Sequence, residues 1–456
     1  MPGRAEWIGA REMRDERAAR WWGRAPSPFA AGVAAITALA VAVRVGYVLV
    51  VRRGEPFGLD SVSYWLLGKN LATGRGYADP SALLAYIHTN KPTAGFPPLF
   101  PGVLAAFRVL GVGTARSGAV AAAVVACATV PLVAVLGRRL LGARVGLAAA
   151  AAVAVWPFLV ASDGSLMSET LAVPLTTAAV LATVWAAERR SLRRWAVVGL
   201  LFGLSSLARS EAPVVAVCVV GVTLLAARGV PVRHRLAAAT VAASVAVLVI
   251  TPWAVYVVRD VGSSALLSSN SARTLAGANC PTTFRGSRIG LWDIACTPVV
   301  DDLRTDEEMA ARLGRKQAQR YVSRHVFRVP LVVGVRVART FGLYAPRQQR
   351  DFEVVESRDR TWQWFAWWSY LAVLPVAAAG LVLMIRRRVA VAPVLGVLLG
   401  VVAVSVVTYG NQRFRLVAEP EILLAAVAAV ALWRRPVPGQ VVATSPGAGM
   451  AVSGQR

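Results

Sequence analysis

Pro98-Leu99-Phe100-Pro101-Gly102-Val103-Leu104-Ala105-Ala106-Phe107-Arg108-Val109-Leu110-Gly111 is the stretch on which the fold turns. It is apolar enough to suggest a membrane crossing. At about 14 residues it is shorter than the ~20 that a helix needs to span the hydrocarbon core, and Arg108 sits inside it. A helix lying on the membrane surface fits it better. Read as non-crossing, it leaves every arginine cluster of the chain on one side of the bilayer.

The rest of the chain is built for lipid. Of its 456 residues, 56% are hydrophobic and 16% are charged, too little polar surface for a soluble protein of this size. Apolar runs of roughly 17–23 residues match the bilayer core, where a helix satisfies its own backbone. They give an all-α bundle of about ten crossings, at 29–51, 116–137, 144–162, 167–187, 195–209, 212–228, 236–258, 365–385, 390–408 and 416–433. The pair 195–209 and 212–228 is read as bent or re-entrant around Pro213. With the N-terminus cytoplasmic, so are Arg138, Arg139 and Arg144; Arg189, Arg190, Arg193 and Arg194; Arg228, Arg233 and Arg235; Arg386, Arg387 and Arg388; and Arg434 and Arg435. The net charge of +26 is spread over these short loops, which excludes a nucleic-acid surface and marks topology instead.

The core domain is 29–435. It follows a basic cytoplasmic segment, 1–28, and the first helix is read as retained, without a cleavage site. The chain closes on a disordered cytoplasmic tail, 436–456. Two large loops, about 52–115 and 259–364, fall on the extracytoplasmic face of the inner (plasma) membrane. In the second, Thr305 and Glu308 form a capping box for a helix to about Phe327. A further apolar stretch to Tyr344 carries Arg336 and Arg339 on one face, and both segments read as helices lying on the membrane. Trp362, Trp364, Trp367 and Trp368 mark an interface belt.

Asp60, in Gly58-Leu59-Asp60-Ser61, stands just outside the first crossing. It reads either as a solvated or helix-capping aspartate, or as a base able to take a proton from an acceptor hydroxyl. Downstream come Gly74-Arg75-Gly76-Tyr77 and Phe96-Pro97-Pro98-Leu99-Phe100-Pro101. Further along are Ser168-Glu169-Thr170-Leu171, Ala208-Arg209-Ser210-Glu211 and Tyr409-Gly410-Asn411-Gln412-Arg413-Phe414-Arg415. This order, all on one face, resembles the GT-C glycosyltransferases, especially the branch of protein O-mannosyltransferases and lipid A aminoarabinose transferases. The resemblance implies a GT-C bundle that moves a sugar from a polyprenyl-phosphate donor, within the membrane lipid, to a glycan, lipid or protein acceptor. It implies Asp60 as general base and Glu169 as a second acidic group of the site. Many relatives have Glu after the Asp; here Ser61 follows, so a role needing two adjacent carboxylates does not carry over. Participation of a divalent metal is left open.

Cations for the donor phosphate are sought among Lys91 and His88 in the first loop, Arg413 and Arg415 at headgroup depth, and Arg44 within the first crossing. Lys91 matches a phosphate-binding lysine by the same resemblance. The alternatives are solvated charge for Lys91 and His88, and snorkelling for the arginines. Glu169 reads alternatively as a helix cap, and Arg209 with Glu211 as a structural pair. Cys280 and Cys296, sixteen apart in one outer loop, read as a disulfide, and Cys127 and Cys218 as packing residues. No P-loop or dinucleotide fingerprint is present. The competing class is a transporter or flippase of lipid-linked glycans. That reading calls for charges along a membrane-depth path between internal repeats, whereas here the ionisable residues gather at one face.

Overall fold

A computed structural model describes residues 27–78, 91–298 and 307–433. These residues are helical, with no strand beyond one isolated bridge between Ala78 and Pro92. His88, Thr305, the basic N-terminal segment and the tail lie outside the described residues.

Helix α1 is Pro28–Gly46, capped by Ser27 and continued by a π-helical turn, Tyr47–Val51. Helices α2 (Leu59–Ala72) and α3 (Leu99–Val109) lie in the first of the two large loops, expected to be outer. At 11 residues, α3 is only about 16 Å long, and it packs along α2 instead of crossing. Helices α4 (Ala115–Ala126) and α5 (Thr129–Leu141) make one span. Helices α6 (Ala143–Val155) and α7 (Pro157–Asp163) make another, bent by 54° where Pro157 interrupts it. Then come α8 (Glu169–Ala187), α9 (Leu192–Ala208), α10 (Ala212–Ala226) and α11 (Val232–Arg259). The second outer loop holds α12 (Asn270–Ala278), α13 (Glu307–Arg324), α14 (Val329–Thr340) and α15 (Pro346–Val355). Helices α16 (Arg360–Arg386), α17 (Ala392–Val407) and α18 (Glu419–Trp433) complete the bundle, with a 3-10 stretch, Gln412–Ala418, leading into α18.

Among the described residues, six spans are long and apolar enough to cross a bilayer, and the bent pair α6–α7 makes a seventh. The other three expected crossings are the shorter helices α9, α10 and α17, of 17, 15 and 16 residues. These pack on long or facing partners: α9 on α11, and α10 on α17. Glycines set those contacts. Gly199 lies against the backbone of Ala242, Gly396 against Val219, and Gly380 of α16 against Ala425 of α18. Close backbone approach of this kind is how helices associate in lipid, where apolar burial supplies little drive. Leu39, Val217, Leu248 and Trp368 point outward as a lipid-facing surface.

Successive helix ends gather at opposite poles. At one pole Arg139 pairs with Glu188 at 2.7 Å, and Arg190 donates to the Gly229 carbonyl at 3.1 Å. At the other pole the two large loops meet. Glu307 accepts from Thr93 Oγ1 at 2.5 Å and from the Ala94 amide at 3.0 Å, binding one loop to the other. Buried Glu308 collects Ser263, Ser264 and Arg312, and a disulfide joins Cys280 to Cys296. Arg336 and Arg339 lie three apart on α14, as expected. Both are buried, Arg336 donating to the Ala278 carbonyl at 2.6 Å and Arg339 to that of Ile289 at 2.7 Å. They clamp α14 onto the loop before it, where a guanidinium can satisfy several carbonyls at once.

The poles give a topology test. In a variant lacking Cys127 and Cys218, cysteines placed at Arg190 and Arg386 should react with an impermeant maleimide only after permeabilisation. A cysteine at Arg273 should react without it. Equal reaction of all three in intact cells would contradict the arrangement.

Candidate active site

The loop pole carries a buried charge cluster centred on Arg413. The 3-10 stretch that begins after Asn411, whose side chain accepts from the Arg413 amide at 2.9 Å, turns this arginine into the bundle. Its Nε donates to Glu169 Oε1 at 2.5 Å, and its Nη1 lies 2.6 Å from Glu356 Oε1 and 3.6 Å from Asp60 Oδ2. Glu169 also pairs with Arg209, which in turn holds Glu211. Four carboxylates thus surround two guanidiniums.

These carboxylates differ in access. Glu169, expected as an acidic group of the site, is fully buried at the start of α8 and bridges two arginines. It has no surface from which to meet an acceptor. Asp60, in the first turn of α2, has a side chain 42% exposed. It does not cap its helix; Gly58 occupies that position. Arg413 helps to orient the Asp60 carboxylate, whose outer side remains open. A small pocket beside the cluster is lined by Thr176, Ser205, Arg209, Glu211, Arg413 and Phe414.

Ser61, the residue after Asp60, is buried and structural. Proton counting fixes a chain of hydrogen bonds. The Gly58 amide donates to Ser357 Oγ at 2.5 Å, Ser357 and Ser61 share a bond of 2.8 Å, and Ser61 donates to the Ser165 carbonyl at 2.7 Å. Since Ser61 spends its proton on the carbonyl, Ser357 must be the donor between the two hydroxyls.

Other expected cations lie elsewhere. Arg44 is fully buried and committed to Asp163 at 2.6 Å and to the carbonyls of Ala154 and Val153. It bolts α1 to the α6–α7 bend, where the broken helix leaves carbonyls unpaired. Arg415 is also fully buried, 2.6 Å from Glu419, which accepts as well from the Trp156 indole. Its guanidinium sits 3.4 Å from the Tyr370 ring centroid. Lys91 is exposed on the strap of the first loop, beside Pro92 of the bridge. Two of the tryptophans do more than line an interface: Trp362 donates to the Pro157 carbonyl and Trp367 to that of Gly342.

Glu356, Ser357 and Arg358 were not singled out from sequence. They end a run dense in charge, Arg347 to Arg360, in which no spacing distinguishes one carboxylate from another. The left-handed φ of 68° at Ser357 turns the chain so that Glu356 meets Arg413 while Arg358 turns to Glu353.

Among the described residues, no group of three or more His, Cys, Asp or Glu is disposed to hold a metal ion. The carboxylates of the cluster are engaged by guanidiniums instead, and no step is assigned to a metal.

Comparison with known proteins agrees with this architecture. Residues 96–256 match the family model described as dolichyl-phosphate-mannose-protein mannosyltransferase. The oligosaccharyltransferase of Archaeoglobus fulgidus in its apo form superposes with a TM-score of 0.51 at 16% identity, over 87% of this chain and 50% of that one. The same organism's oligosaccharyltransferase AglB, in complex with an inhibitory peptide and a dolichol-phosphate, gives 0.51 at 14% identity, over the same shares of 87% and 50%. This chain therefore spans half the length of those enzymes, and the likeness is one of fold. No curated protein matches by sequence. The family model covers about a third of the chain, and what the solved structures share with it is the fold of membrane-embedded oligosaccharyltransferases.

Access separates the two acids experimentally. Glu169→Gln leaves two buried guanidiniums short of a counter-charge and should cost about 3–5 kcal/mol of stability. Asp60→Asn, at an exposed side chain, should leave the melting temperature near that of the wild type. Equal melting of both variants in detergent would contradict the assignment of Glu169 as the bridging counter-ion.

Proposed function

We propose that this chain is a GT-C glycosyltransferase that transfers a sugar from a polyprenyl-phosphate donor to an acceptor hydroxyl at the extracytoplasmic face, with Asp60 as general base. The observation that carries the reading is the half-exposed Asp60 carboxylate beside Arg413, at the pole where both outer loops converge. It puts a proton acceptor next to a fixed positive charge, the pairing that displacement of a lipid phosphate needs.

In this mechanism the acceptor O–H gives its proton to Asp60 as its oxygen bonds to the anomeric carbon. The bond from that carbon to the phosphate oxygen breaks, and the polyprenyl phosphate leaves with the electron pair. A phosphate monoester leaves as an anion and needs no acid, provided cations stabilise it. Our candidates are Lys91, which is exposed, and Arg413, which is largely buried but faces Asp60. Arg44 and Arg415, fully buried and held by partners away from Asp60, are not among them. The family model is of enzymes named for a dolichyl-phosphate-linked sugar, and the AglB complex holds a dolichol-phosphate; both support a lipid-linked donor here.

The test is transfer from synthetic polyprenyl-phosphate sugars in liposomes. Asp60→Asn, folded as judged by its melting temperature, should lower kcat by about 10²–10⁴. Lys91→Ala should chiefly raise KM for the donor. Near wild-type turnover by Asp60→Asn would place the base elsewhere. Wild-type protein that transfers nothing, yet moves a lipid-linked glycan across the bilayer, would replace this reading with a flippase.

A further inference from the structure

The loop joining α15 to α16 belongs to the second outer loop, yet it is locked into the first. Ser357 accepts from the amide of Gly58, the residue that opens α2, and donates to Ser61 in its first turn. A non-glycine residue at φ 68° is strained, and these two bonds account for its retention. One residue earlier, Glu356 takes Arg413 Nη1 at 2.6 Å. The same nitrogen is 3.6 Å from Asp60, beyond a hydrogen bond. Nη1 carries two N–H bonds, but its position is set by Glu356, which holds it out of hydrogen-bonding reach of Asp60.

We propose that Glu356 is a positioning residue for the Asp60 base: by holding Arg413 Nη1 it keeps that guanidinium from closing on Asp60, leaving the carboxylate turned outward to accept a proton. The proposal rests on the sugar-transfer reading. Its physical basis is that a carboxylate locked in a close ion pair with arginine is a poorer proton acceptor than one beside it. Glu169 fixes the other edge of Arg413 through Nε, so the arginine pivots about that bond and has two places for Nη1: Glu356 or Asp60. Ser357, in the same loop, fixes the helix turn that carries Asp60, so both halves of the arrangement are set by adjacent residues.

The groups facing Glu356 also give it a pH dependence. Burial pushes its carboxyl up to about 7; Arg413 opposes this, while Asp60 from α2 and Glu169 from α8 add to it. The phenol of Tyr409, on the connection from α17, faces it as well. Below that pH Glu356 takes a proton and loses its charge, and its claim on Nη1 weakens.

Glu356→Gln tests the proposal in two ways. A structure of the variant in nanodiscs should find Nη1 within hydrogen-bonding distance of Asp60. An unchanged separation overturns the proposal whether or not sugar transfer is observed. In the transfer assay, kcat of the wild type should fall as pH drops through about 7. Glu356→Gln should lack that limb and run at a level about tenfold or more lower throughout, with KM for the donor little changed. Glu356→Asp, which keeps the charge, should recover part of the rate. A merely structural role would lower the folded fraction and leave the pH profile in place. A wild-type rate and limb in Glu356→Gln would overturn the proposal. A wild type with no transfer at any pH would overturn the functional reading, and the catalytic part of this proposal with it.

Discussion

The bond between Arg413 and Glu169 is the constraint to which the loop pole is fastened. At 2.5 Å, between side chains 8% and 0% exposed, it joins the 3-10 stretch before α18 to the first residue of α8, 244 positions apart. Everything assigned to the site hangs from it. Arg209 reaches the same carboxylate from the end of α9, Glu356 reaches the same guanidinium from the second outer loop, and Asp60 faces it from α2. Buried ion pairs add little net stability, because desolvation offsets their attraction. Breaking one is costly, since the surviving charge has no water to turn to. The pair therefore acts less as a source of stability than as a rule about which helix ends may meet.

The same rule operates deeper in the bundle. Arg44 with Asp163 fixes the bend between α6 and α7, and Arg415 with Glu419 and Trp156 fixes the same bend against α18. Each arginine answers backbone or carboxylate groups that a broken helix leaves open in a medium without water. The bend turns α7 and the following residues toward the cluster. Ser165 there receives the Ser61 hydroxyl that fixes the turn bearing Asp60. Packing against lipid thus leads, through three arginines, to the placement of one half-exposed carboxylate.

Much of this was legible in the sequence because the bilayer imposes length. The long spans follow from apolar runs, and the crossings too short to stand out, α9, α10 and α17, follow from the side on which arginines fall. That α3 would not cross followed from its length and Arg108. Arg44 was recognisable as needing a partner, but nothing local marks Asp163, 119 positions away, as that partner. Arg336 and Arg339 have helical spacing suited to a surface face, and spacing alone does not reveal the loop carbonyls folded over them. Glu356 was hidden for a related reason. One acid among many in a polar run acquires its role only when a left-handed serine beside it turns the chain inward.

The central claim is that chemistry on a lipid phosphate takes place at the pole built around Arg413 and Glu169. The most direct measurement is a structure of the full chain in nanodiscs with a polyprenyl phosphate added. The account expects the phosphate at the loop pole, against Lys91 or Arg413, with the Asp60 carboxylate facing the space where a sugar would be attached. A phosphate held instead at the opposite pole, among the arginines near Arg139 and Arg190, would contradict it.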